Sequence, residues 1–165
     1  MLTRCRYHWA LLIGPTTETN SSSGRRIHVQ ERMRLVNGQP KGVWEYANMD
    51  TGTIATAAIM ARILVARIED TSRLVSVLER VPVRSSEEKW NCVLWVEEEL
   101  AMASADGKAL GKSRKTEWTT VRDAAMKYIG EKEAAHRYNG KAPKGSYDPM
   151  KVATFDLLTG IETIP

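Results

Sequence analysis

The chain has 165 residues, 42% hydrophobic and 27% charged, with 11 glycines and 6 prolines. That length holds about one domain with a modest core, and the composition excludes collagen-like, low-complexity and broadly disordered classes. Lys and Arg total 24 against 20 Asp and Glu, a net charge of +4 that admits an anionic partner without specifying one.

In chain order, residues 7–13 form a compact apolar run closed by Gly14-Pro15, the pattern of a buried strand. Residues 16–24 are polar and read as a loop, and residues 25–30 as the returning strand. Asn37-Gly38-Gln39-Pro40 signals the next turn, with a strand over 43–47 and another, rich in β-branched residues, over 62–68. Ala55, Ala57, Ala58 and Ala61 favour a helix in the stretch 54–68 as the alternative. From Asp70 the apolar spacing becomes helical. Thr71 or Ser72 caps a helix to about Arg80, with Leu74, Val77, Leu78 and Val81 inward and Pro82 as the stop. A second helix starts near Trp90-Asn91-Cys92 and ends at Asp106-Gly107. Thr116 caps a third, with Trp118, Val121, Ala125, Tyr128 and Ile129 as its stripe. Strands first and helices after make the class α+β, a small antiparallel sheet packed on helices. The division is a domain over 1–136 and an extended C-terminal tail over 137–165, packed on it. The apolar run at 9–13 is too short for a signal segment, and 54–68, broken by Arg62 and Arg67, is too short to span a membrane. With two cysteines and no disulfide framework, a reducing compartment, the cytoplasm, is the expectation.

The chemistry is expected from a histidine on the first strand and a cysteine opening a helix. A thiol in a helix's first turn feels the positive end of the dipole, which favours the thiolate. An imidazole within reach favours it further and can protonate a leaving group. Cys92 is thus the candidate nucleophile and His8 its base. If residues 7–13 and 25–30 form a hairpin with His8 opposite His28, both rings share one face and His28 orients His8. Cys5, three residues from His8, falls on the other face.

His8-Trp9-Ala10-Leu11-x-Ile13-Gly14 resembles the histidine strand of the circularly permuted papain-like (NlpC-type) thiol enzymes, in particular the lecithin:retinol acyltransferase group. Asn91-Cys92-x-x-Trp95-Val96 resembles that group's nucleophile motif, and His28 matches its second histidine by order. The resemblance implies a permuted papain-like fold with Cys92 as nucleophile, His8 as base and His28 as orienting partner. Val93-Leu94 stand where the group carries Glu-His, and the loop between the histidines is longer. Residues 7–15 are also similar to small uncharacterised fungal proteins, a likeness that implies a link to aminoacyl-tRNA-dependent cyclodipeptide synthases.

The plainer alternatives have physical grounds too. Cys92 can be a small core hydrophobe, and His28, among Arg25, Arg26 and Arg32, a solvated strand residue. Arg25, Arg26, Arg32 and Arg34 can hold phosphates, or be a charged edge that discourages aggregation. Glu97-Glu98-Glu99 reads as the solvent face of the second helix. The five tryptophans are core, with Trp90 and Trp95 placed to wall a substrate pocket. No CxxC or HxxxH spacing suggests a metal, and no phosphate-binding glycine motif or other cofactor signature occurs. His136 falls on a charged helix end. The expected function is acyl transfer through a Cys92 thioester, by an amidase, peptidase or acyltransferase. Asn91, Trp90, Trp95, Arg25 and Arg26 would contact the acyl donor. The alternatives are amide-bond formation from aminoacyl-tRNA, or a non-catalytic module binding through its basic stripe. Oligomeric state is open.

Overall fold

The computed structural model describes residues 6–19, 21–52 and 59–165. β1 (Leu11–Ile13), β2 (Ser23–Val36) and β3 (Gln39–Gly52) form one antiparallel sheet in the order β1-β2-β3. The β2–β3 hairpin closes at Asn37-Gly38, both at positive φ (53° and 77°). Two such residues give the turn whose twist matches the strands, so the Asn-Gly signal was sufficient. The strand expected over 62–68 is two short ones, β4 (Ala61–Leu64) and β5 (Ala66–Ile68).

α1 (Thr71–Leu78) buries Leu74, Val77 and Leu78 as the spacing required. Its cap is Asp70, whose carboxylate accepts from the Arg73 N–H at 2.8 Å, rather than Thr71 or Ser72. α2 runs Cys92–Asp106 between Asn91 and Gly107, the latter left-handed at φ 70°. α3 (Trp118–Ala134) is capped by Glu117, which accepts from Thr119 N and Thr120 N, one residue past the expected Thr116. A carboxylate there favours the helix dipole as well as the N–H groups.

The C-terminal half is not purely helical. β6 (Leu110–Arg114) pairs antiparallel with β5. Beyond α3 the chain does not remain an extended tail: β7 (Ala153–Asp156) pairs parallel with β4, and β8 (Ile161–Ile164) antiparallel with β7. Ala153 is fully buried, so this segment contributes to the core. The architecture is α+β, with helices and small, mainly antiparallel sheets.

Alternation assigns the faces of the β1-β2-β3 sheet. Ile27 and Val29 are fully buried in the cluster that holds Cys92, Trp95 and Val96 of α2, with Trp9, Leu11, Ile13, Trp44 and Tyr46 packed against it. These positions share one face, the inner face, against α2. The other parity carries Arg26, His28, Gln30, Arg32 and Arg34 to the outer face.

Candidate functional site

The histidine pair forms as the sequence suggested, with a shifted register. Leu11 pairs with Ile27, so Ala10 continues opposite His28 and His8 reaches it diagonally. His8 Nε2 and His28 Nδ1 are 2.8 Å apart, with the rings edge to face. His28 is only 5% exposed, so its flanking arginines do not make it a solvated residue. Burial, then His8, Arg26 and Arg32, lower its pKa to about 4. Burial and Arg26 lower His8 as well. Both rings are therefore neutral at pH 7, and one N–H lies between them. His28 Nε2 and Arg26 Nε are buried without a hydrogen-bond partner among the described residues. Arg26 Nη2 touches Met49 Sδ at 2.9 Å.

Arg25 has the opposite parity to Arg26 and is exposed. Arg34 forms a two-point pair with Glu45 at 2.7 and 2.9 Å, and Arg32 lies 3.7 Å from the same carboxylate. The basic stripe is thus split between two faces and partly neutralised along β2.

Cys92 is the first residue of α2 and 3% exposed. Asn91 Oδ1 accepts from Val93 N at 2.9 Å and from Leu94 N at 3.4 Å, so the asparagine caps the helix. Trp90 and Trp95 are core residues: Trp90 packs on Trp44, and Trp95 on Tyr46. The structure therefore brings His8 to His28 and groups Cys92 with Trp90 and Trp95. His28 points to the face of the sheet away from the core that contains Cys92. Cys5 lies outside the described residues.

One group escaped the sequence reading. Glu99 does not share the solvent face of Glu97 and Glu98. It is 0% exposed, on the stripe of Cys92, Trp95, Val96 and Ala103. Burial, then Glu98, raise its carboxyl to about 9, and neither oxygen has a partner among the described residues. Its spacing, four beyond Trp95 and seven beyond Cys92, was the available signal. Among the described residues Tyr46 Oη, Asn48 Oδ1, Trp90 Nε1 and Trp95 Nε1 are likewise buried and unpaired.

Among the described residues no three His, Cys, Asp or Glu side chains gather as metal ligands. No helix among them is long and apolar enough to cross a membrane. His136, at φ 61°, bonds Asn139.

A family of unknown function, DUF6914, matches residues 3–164. The chain belongs to DUF6914. No curated protein and no solved structure matches it. The DUF6914 match runs unbroken across residue 137, through the β4–β7 pairing, and brings no activity with it.

Proposed function

We propose that this protein catalyses acyl transfer through a thioester on Cys92, with the His8–His28 couple carrying the proton. The 2.8 Å contact between two neutral imidazoles is the observation that supports it. Such a couple can accept a proton and return it to a leaving group, while the second ring fixes the first one's tautomer. The seat of Cys92 at the start of α2, capped by Asn91, supports its role as nucleophile. On this reading the sulfur attacks the donor carbonyl, the thiol proton reaches His8 only if the segment carrying His8 rearranges toward the face that holds Cys92, and the leaving group departs with that proton. Water or an amine then takes the acyl group and frees the thiol. The order His8, His28, Cys92 supports a permuted papain-like arrangement of these residues, and an aminoacyl ester, as on tRNA, is a suitable acyl donor.

The alternation of β2 favours a second reading. With His28 on the outer face and Cys92 among core residues, the couple would activate water or an amine directly, with no thioester. Intact-mass measurement after incubation with a p-nitrophenyl ester and with aminoacyl-tRNA separates the two. An acyl adduct that disappears in Cys92→Ala, together with turnover, supports the thioester. Turnover that survives Cys92→Ala and is lost in His8→Ala supports direct activation. Turnover unchanged by either substitution removes both.

A further inference from the structure

We propose that Glu99, with Tyr46, Asn48 and Trp95, forms a buried receptor for an organic cation, an ammonium or guanidinium group. The proposal stands on its own geometry and does not depend on the acyl-transfer reading.

Trp95 and Glu99 are one turn apart on the inward stripe of α2. Tyr46 and Asn48 are two apart on β3 and share its inner face. The Trp95 and Tyr46 rings meet edge to face, with centroids 6.3 Å apart. Glu99 acts electrostatically on the Tyr46 hydroxyl, and Asn48 neighbours that hydroxyl without a hydrogen bond of normal geometry. Five side-chain oxygen and nitrogen atoms of these four residues are buried and have no partner among the described residues: both of Glu99, and one each from Tyr46, Asn48 and Trp95.

Buried polar atoms nearly always have partners, and an unmade hydrogen bond costs about 1–3 kcal/mol. Such a concentration in one place marks a site completed by something else. Acceptors dominate it: two carboxyl oxygens, an amide oxygen and a hydroxyl. The complement must bring several N–H donors and a positive charge, and aromatic rings at the wall suit a desolvated cation. Among the described residues no arginine or lysine is paired with Glu99; the cation felt at Tyr46 is Arg25, which is exposed. Tyr46 and Asn48 are half-buried, the least enclosed of the four, and the proposed ligand enters on their side. Glu99 lies about 10 Å along the helix from Cys92, at a rise of about 1.5 Å per residue.

Binding is a proton exchange. The carboxyl of Glu99 gives up its proton to solvent, and the carboxylate pairs with the incoming cation. Glu98 on α2 bears on the Glu99 carboxyl, and Glu79 after α1, Glu99 itself and Arg25 on β2 bear on the Tyr46 hydroxyl of β3.

The test titrates the full-length protein with butylammonium and butylguanidinium, using butanol as the neutral control. Tryptophan fluorescence reports binding, and calorimetry in two buffers of different ionisation enthalpy counts protons. The expected result is saturable binding of at least one cation and none of butanol, with about one proton released per ligand at pH 7. Affinity should rise about tenfold per pH unit between pH 6 and 8, because the carboxyl must ionise. Glu99→Gln, an uncharged near-isostere, should weaken binding by tenfold or more and abolish proton release. No saturable binding of either cation overturns the proposal. So does affinity that is flat with pH in the unsubstituted protein, a result that stands even if the variant fails to fold.

Discussion

The inner and outer faces of the β1-β2-β3 sheet carry opposite chemistry brought to neutrality by one physical cause. On the inner face burial pushes the Glu99 acid up, and on the outer face burial pushes the His8 and His28 bases down. The difference lies in what accompanies them. His28 has His8 at 2.8 Å, so its ring is held on one side. Glu99 has no hydrogen-bond partner among the described residues, so its neutrality rests on desolvation first and on the neighbouring Glu98 second. A group held without a hydrogen bond is the one a binding event can switch.

The largest effect expected from this contrast is on pH and stability. Between about pH 4.5 and pH 9 folded Glu99 keeps a proton that the unfolded chain has lost. Stability therefore falls as pH rises across that window, by about 1.4 kcal/mol per unit and several kcal/mol in total. Urea unfolding at pH 5, 7 and 9 should show the decline, and Glu99→Gln should flatten it; parallel slopes in the two proteins would break the contrast. Next in size is Trp95→Ala, which empties a fully buried indole site of the inner face. It should cost about 3–5 kcal/mol by the same measurement, and a loss below about 1 kcal/mol would mean that this face is not the core.

The outer face should give a smaller effect of the other sign. His28 titrates near 4 in the folded chain and near 6.5 when unfolded, so stability is lost as pH falls from about 6.5 to about 4. The full loss is about 3 kcal/mol. His28→Gln should remove most of that acid limb, while leaving the alkaline decline from Glu99 in place. Persistence of the acid limb in the variant would assign it elsewhere. The smallest is Asn91→Ala, which removes the α2 cap and should cost about 1 kcal/mol in urea. A loss above about 3 kcal/mol would show that Asn91 does more than cap.

Local signals were legible in the sequence, and relations between distant segments were not. Asn91 and Asp106-Gly107 bounded α2, and Asn37-Gly38 closed its hairpin, because caps and turns are decided by neighbouring residues. The shared face of His8 and His28 followed from strand parity, which survived a two-residue error in register. Glu99 was misread because three consecutive glutamates look like solvent composition, although only one of them falls on the buried stripe. β7 and β8 were missed because each is four residues long, too short for a period to register. The partner of β7 lies about ninety residues earlier in the chain, where composition gives no hint of pairing.

That β4–β7 pairing also bears on the order of folding. The β2–β3 ribbon closes on a two-residue turn, so it can zip as soon as its residues exist. β4 must wait for a parallel partner that is synthesised after α1, α2 and α3, and loop closure over such a span is entropically slow. During translation the edge of β4 therefore remains open while most of the protein is already on hand. Pulsed hydrogen exchange on the refolding chain should find the amides of the β2–β3 ladder protected first and those of the β4–β7 ladder last.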